Sequence, residues 1–244
     1  MPKNSYIRIL LTFGMSLAFL MVGCVDTSVQ PIPSTLDYRS QVKIVNLAPD
    51  IASADFSMTT HAGETISFGT IAYGDESAGD YKDMPAGSKE LKFNSETLKL
   101  NTEVDKKMRL FVVGANATDR DVIKVNQRYI FQTKDDPTSS SLYRADTAAI
   151  AFANGSTDLA ITKIKAVSGD ADTTLAIALG YGNVANHQYL KAGDYTISII
   201  SNNMAGDADS VMTSFQANLA AKGRFTAIVY GSKASLQSKV FTDD

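Results

Sequence analysis

VKIVNLAPDIASADF occupies residues 42–56, and 108 positions further on stands IAFANGSTDLAITKI, residues 150–164. Asn46 falls on Asn154, Asp50 on Asp158 and Ala52 on Ala160. Between them apolar residues meet apolar residues: Ile44 and Phe152, Ile51 and Leu159, Phe56 and Ile164. A fixed-period match of this kind is read before any fold, because it says that one unit is built twice. At the same shift Thr65 meets Thr173, Ile71 meets Leu179, Tyr73-Gly74 meets Tyr181-Gly182 and Tyr81 meets Tyr189. After a loss of two residues, Ala86-Gly87 meets Ala192-Gly193, and Leu91 and Phe93 meet Ile197 and Ile199. LFVVG at 110–114 answers AIVYG at 227–231, and FQTKDD at 131–136 is matched with VFTDD at 240–244. The repeats therefore span 41–136 and 147–244. The segment 137–146 opens with Pro137-Thr138-Ser139-Ser140-Ser141 and has the composition of a flexible linker.

Within each repeat the pattern is that of strands. Glu90-Leu91-Lys92-Phe93 and Tyr195-Thr196-Ile197-Ser198-Ile199 alternate polar and apolar, as a strand with one wet face does. Met108–Val113 and Phe225–Val229 are more continuously apolar, which suits a central strand. Pro85-Ala86-Gly87 and Lys191-Ala192-Gly193-Asp194 are turns feeding strands. Residues 209–221 (DSVMTSFQANLAA) fit either a helix or a long strand, and the parallel with 96–104 favours strand. Strands recurring every 8–12 residues with turn signals between them suggest a β-sandwich.

The chain has 244 residues, 23 Lys plus Arg, 26 Asp plus Glu, and a formal net charge of -3. That balance argues against a nucleic-acid partner, which calls for a clustered basic surface. One Cys excludes an internal disulfide and a four-Cys zinc site. That Cys ends the leader. Lys3 and Arg8 precede an apolar run, Ile9 to Val22, and Gly23-Cys24 follows. A basic start, a short apolar run and a small residue at the cut describe an export signal. The run is too short for a spanning helix. Met21-Val22-Gly23-Cys24 resembles the bacterial lipobox, with Met21 in place of the usual Leu. The resemblance implies a signal peptide over 1–23, acylation of Cys24 with palmitate-type chains, and anchoring of the mature chain in the membrane by lipid. Val25, where an Asp would retain an enteric lipoprotein in the inner membrane, implies the outer membrane. Residues 24–40, with Pro31 and Pro33 and no apolar period, read as the lipidated tether.

VKIVNLAPDIASADF, the Tyr73-Gly74 step, YKDMPAGSKELKF and RLFVVGAN together resemble the DUF4397 family. Repeat one carries the pattern well. Repeat two carries it in part, with Ser156-Thr157-Asp158 for Ala-Pro-Asp and Lys191-Ala192-Gly193 for Pro-Ala-Gly. The fold this implies is all-β: two tandem immunoglobulin- or transthyretin-like β-sandwich domains behind a lipoprotein signal peptide. The family brings no catalytic residues with it.

The sequence carries few residues in patterns that would do chemistry. His61 and His187 have no His or Cys at a ligand spacing, lie in turn-rich stretches and read as solvated loop residues. No Gly-x-Ser-x-Gly, His-Glu-x-x-His or Walker pattern is present. The two GDAD stretches, with Asp170, Asp172, Asp207 and Asp209, have Asp-x-Asp spacing but no bidentate Glu at the twelfth position, and read as exposed turns rather than Ca²⁺ loops. Asp50 and Asp158 are expected to bond their own turn backbone, and Asn46, Tyr73 and Gly74 with their counterparts to be structural. The expectation is a non-enzymatic, lipid-anchored envelope protein without cofactor or metal, acting as an interaction or structural module. The alternative is a surface lipoprotein binding glycan or peptide, through loops such as 57–64 or 201–209 or a patch of Tyr73, Tyr81, Tyr181 and Tyr189.

Overall fold

The computed structural model describes residues 38–129, 146–175, 177–202 and 209–243. The signal peptide, Cys24, the tether up to residue 37, FQTKDD, the linker 137–146 apart from Asp146, and Asp207 lie outside the described residues. In the first repeat the strands are β1 Arg39–Asn46, β2 Ser53–Thr60, β3 Thr65–Ala72, β4 Lys82–Pro85, β5 Gly87–Phe93, β6 Glu96–Thr102, β7 Lys106–Val113 and β8 Asp121–Tyr129. They form two sheets, β4-β1-β7-β8 and β3-β2-β5-β6. In the second repeat they are β9 Thr147–Gly155, β10 Lys163–Ser168, β11 Ala171–Leu175, β12 Gln188–Lys191, β13 Gly193–Ser201, β14 Ser210–Leu219, β15 Arg224–Tyr230 and β16 Gln237–Thr242. Their sheets are β12-β9-β15-β16 and β11-β10-β13-β14, the same order strand for strand. Neighbours run antiparallel except β1 with β7 and β9 with β15, which are parallel. The protein is all-β, with two tandem β-sandwiches.

The alternating strands bury one face each. Phe56 and Met58 of β2 and Leu91 and Phe93 of β5 meet Val42, Ile44, Met108, Leu110 and Val112 in the first interior. Ile164, Ile197 and Ile199 meet Ile150, Phe152, Ala227 and Val229 in the second. The ambiguous segment is strand β14, pairing with β13 from Gly193–Leu219 to Ser201–Ser210. Ser214, Gln216 and Asn218 on its outer face bond across to Ser198, Thr196 and Asp194 of β13.

A third apolar layer is unexpected. Val45, Phe111, Val113, Ile123 and Val125 of the first repeat pack on Ala151, Ala153, Ile228, Tyr230 and Phe241 of the second. Sheet β4-β1-β7-β8 thus lies against sheet β12-β9-β15-β16, and the chain from Tyr38 onward clusters as one unit. This explains why β7 and β15 are apolar almost throughout: one face fills a sandwich and the other fills the seam between sandwiches. Covering an alternating strand on both sides leaves no wet face for polar residues.

The ladders also correct the repeat register. Val42 pairs with Met108 and Lys82 as Ile150 pairs with Phe225 and Gln188. Tyr81, just before Lys82, is therefore equivalent to His187 and not to Tyr189, because the two-residue deletion lies upstream of it in the loop. Likewise Leu110 pairs with Lys124 as Ala227 pairs with Val240, so VFTDD answers the end of β8 rather than FQTKDD.

Candidate functional site: the seam and its two clefts

The residues that recur between the repeats hold turns and join the sandwiches. Asn46 and Asn154 are fully buried. The Asn46 amide donates to the carbonyls of Ile51 (2.9 Å) and Ile71 (3.4 Å), and its oxygen accepts the Ala48 N–H. Asn154 donates to Leu159 (2.7 Å) and Leu179 (3.1 Å) and accepts the Ser156 N–H. A short amide satisfying three buried backbone groups is the reason for Asn at this exit from the first strand. Gly74 and Gly182 follow with φ of 85° and 76°, where a side chain would be strained.

Asp50 departs from expectation. It accepts from Nη2 of buried Arg120 with both oxygens at 2.7 Å, not from its own turn. Arg120 also holds Glu96 and the Gly114 carbonyl. Asp158 takes the Ser156 hydroxyl and the Lys233 N–H. Both acids thus pin the loop that joins the last two strands of their sandwich.

The two Tyr-Gly steps reach across the seam in opposite directions. The Tyr73 hydroxyl donates to Gln237 of the second repeat at 3.4 Å, and its ring meets Tyr230 edge-on at 6.1 Å. The Tyr181 hydroxyl donates to the Asp119 carbonyl of the first repeat at 2.7 Å. Burial and the acids Asp121 and Asp119 push the Tyr181 phenol up to about 12. Gln237 opposes Tyr230 as Asp121 opposes Val113, and Tyr181 bonds Asp119, two residues before Asp121, so the two tyrosines reach the same corner of the opposite sandwich through different partners. Gly155 completes the fit, since a Cβ there would lie 2.9 Å from Val113 Cγ1.

Polar residues at the seam pair reciprocally too. Arg109 of β7 bonds Asp243 and, at 3.1 Å, the Thr242 carbonyl. Its equivalent Thr226 receives the Gln127 amide at 3.1 Å and donates to Asp243 at 2.9 Å. Burial raises the Asp243 carboxyl to about 7 against the pull of Arg109.

Two clefts open at this seam. One, of about 220 Å³, has Leu47, Pro49, Tyr73 and Gly114 on one side and Gly155, Thr157, Gly231 and Gln237 on the other. No ionised side chain lines it. The other, of about 230 Å³, lies at the rim formed by β1, β7 and the end of β16. There Lys107 Nζ sits 4.3 Å from the centre of the Tyr81 ring, with Lys43 at 5.8 Å and Arg109 at 5.9 Å. Lys43 pairs with Glu76 at 3.0 Å, and Arg109 Nη2 lies 3.2 Å from the same carboxylate. No sequence motif announced this cluster; the only signal was that Lys43, Glu76, Tyr81 and Arg109 differ from their counterparts.

The remaining candidates do not converge. His61 is exposed at the β2–β3 turn. His187 is not a solvated residue: burial and nearby Arg224 push it down to about 4, which keeps the ring neutral at pH 7. Asp172 is tied to Lys165 and Asp209 to Lys163, and among the described residues no three His, Cys, Asp or Glu gather as metal ligands. Tyr73 and Tyr181 face the seam, Tyr81 the rim cleft and Tyr189 solvent, so the four tyrosines form no single patch.

No family model matches the chain, and neither does any curated protein. Among solved structures it is similar to a candidate cell adhesion protein from Bacteroides uniformis, at 13% identity over 86% of this chain and 99% of that chain, with a TM-score of 0.28. A candidate cell adhesion protein from Bacteroides fragilis shares 11% identity over 79% of this chain and 84% of that one, with a TM-score of 0.25. The Bacillus anthracis TIE protein shares 12% identity over 82% of this chain, at a TM-score of 0.25, and the chain spans 34% of its length. At these scores the likenesses bear on neither activity nor partner.

Proposed function

We propose that the protein is a non-enzymatic, DUF4397-like module of the bacterial envelope, anchored by acylated Cys24 in the outer membrane and acting through contact with other envelope components. The observation that carries this reading is how the recurrent residues are used. Asn46, Asp50, Tyr73 and Gly74, with Asn154, Asp158, Tyr181 and Gly182, fix turns and join the sandwiches, as the hydrogen bonds and φ values above describe. What a chain repeats is here architecture, and a stiff two-sandwich arm on a short tether suits a protein that presents surfaces. Lipid anchoring rests on the leader sequence, where a sole Cys follows Gly23 at the end of an apolar run.

The experiment is palmitate labelling and membrane fractionation in a bacterial host, with Cys24→Ser as the variant. The full-length chain should take up label and sediment with outer membranes, and Cys24→Ser should lose both label and signal peptidase II cleavage. A Ser variant that is cleaved normally and stays with the membrane overturns the anchoring. A pull-down with the acylated chain then reads the contact role.

A further inference from the structure

The uncharged cleft lies at the end of the seam where β16 begins with Gln237, past the end of β1 that is opposite Tyr38. It is built from the same positions of both repeats. Leu47 and Gly155, Pro49 and Thr157, and Ala115 and Ser232 occupy equivalent places in the two sandwiches. If packing alone acted on these places, the two walls would be alike. They are not. Apart from Gly114 and Gly231, which follow β7 and β15, the wall from the first repeat is apolar or aromatic. The wall from the second is Gly, hydroxyl and amide.

Packing accounts for one of these differences: Val113 leaves no room for a Cβ at Gly155. It does not account for the polar ones. Thr157 is exposed, and its hydroxyl has no hydrogen-bond partner among the described residues. Ser232 precedes the short turn Lys233–Ser235 without capping it, and its hydroxyl meets that of Ser235 at 2.9 Å. Gln237 lends its oxygen to Tyr73, and its amide nitrogen donates to none of the described residues. An apolar wall thus stands opposite a wall of uncommitted donors and acceptors.

The chemistry of the lining selects the ligand. A charged group would find no counter-ion there, and burying it unpaired is costly. An extended peptide binds by adding to an unpaired strand edge, whereas this lining comes from strand ends and the loops that follow them. A neutral sugar ring has the matching two sides, an apolar C–H face and an edge of hydroxyls that donate and accept. Aromatic and aliphatic groups take such a face, and a few placed polar groups take the edge. The volume, about 220 Å³, has room for one ring.

We propose that this cleft binds one neutral sugar residue, its C–H face against Tyr73 and Pro49 and its hydroxyls on Thr157, Ser232 and Gln237. The proposal goes beyond the envelope role and does not depend on acylation, so its failure leaves that reading standing.

Saturation-transfer NMR titration of the full chain, in a detergent without a sugar head group, tests it. The probes are glucose, galactose, mannose and N-acetylglucosamine. The comparators are glucuronate for charge, cyclohexanol for an apolar ring and N-acetyl-L-alanine amide for a peptide. Expected is saturable binding of at least one of the four sugars, at least about tenfold tighter than any comparator. Ala115→Trp fills the cleft from an exposed loop and should abolish binding. Thr157→Val and Ser232→Ala, both at exposed positions, should each weaken it about three- to tenfold through one lost hydrogen bond. Ala117→Trp, two residues along the same loop and outside the lining, should leave it unchanged. A thermal melt of each variant shows that it is folded, and the two small substitutions carry the test if Ala115→Trp is not. Binding of none of the four sugars, a comparator that binds as well, cleft variants that bind like the parent, or equal loss in Ala117→Trp overturns the proposal.

Discussion

The interior of the first sandwich and the seam are both dry layers between two sheets, yet they are made differently. The sandwich interior is apolar alone: Phe56 stacks on Phe93 at 4.9 Å, and Ile44, Met58, Leu91 and Leu110 close around them. The seam joins an apolar half, with Phe111 against Phe241 at 5.4 Å, to a polar half of Arg109, Asp243, Thr226 and Gln127. Within one sandwich hairpin turns set the pairs β2–β3, β5–β6 and β7–β8, and backbone ladders fix the register of the other pairs, so the side chains between the sheets need only shape and hydrophobicity. Between sandwiches no turn dictates the register. Directional pairs supply it, because sliding the sheets by one position strands a buried charge.

The sharpest challenge to this contrast is Phe111→Ala beside Phe56→Ala. If the seam is a packed core, both lose about 3–5 kcal/mol in urea denaturation. A loss below about 1 kcal/mol for Phe111→Ala alone would reduce the seam to loose contact. Asn46→Ala and Asn154→Ala come next. Each leaves buried backbone groups unmatched, a cost of about 1–3 kcal/mol, and the two losses should be equal because the bonding is the same. Unequal losses, read by the same denaturation, would show that the repeats are not equivalent at their most similar position. Tyr181→Phe and Tyr73→Phe are the finest test. Tyr181 gives up a 2.7 Å bond to a carbonyl and should lose about 1 kcal/mol; Tyr73 gives up only a 3.4 Å contact and should melt close to the parent. Reversal of that order in a thermal melt would break the reciprocal picture.

Much of the fold could be read from residues alone, and the reasons are local. Alternation in 90–93 and 195–199 is a property of the strand itself, and Asn46, Gly74 and their counterparts serve backbone within a few residues or one neighbouring strand. The seam could not be read this way. Met108-Arg109-Leu110-Phe111 alternates until Phe111, and a charged residue in such a row reads as facing water. Nothing in the row says that a second sheet covers that face, because the answering residues, Asp243 and Phe241, are more than a hundred positions away. The match of Tyr81 with Tyr189 fails for a related reason: a deletion in a loop leaves no mark in the letters, and only the ladder shows where the count slips. Asp50 reads as bonding its own turn because Arg120, its partner, sits 70 residues on. The rim cleft, likewise, exists only once β1, β7 and the last residues of β16 are side by side.

The parallel ladders also order events in time. β1 finds one of its two neighbours in β7, which begins at Lys106, and β9 waits in the same way for β15, which begins at Arg224. Closing so long a loop costs entropy before any contact repays it, and sheets that depend on distant pairings assemble slowly. A chain emerging N-terminus first therefore holds its opening strand without that neighbour until most of a repeat has followed. Neither sandwich can lock early, and the seam, which needs Phe241 and Asp243, waits for the end of the second repeat.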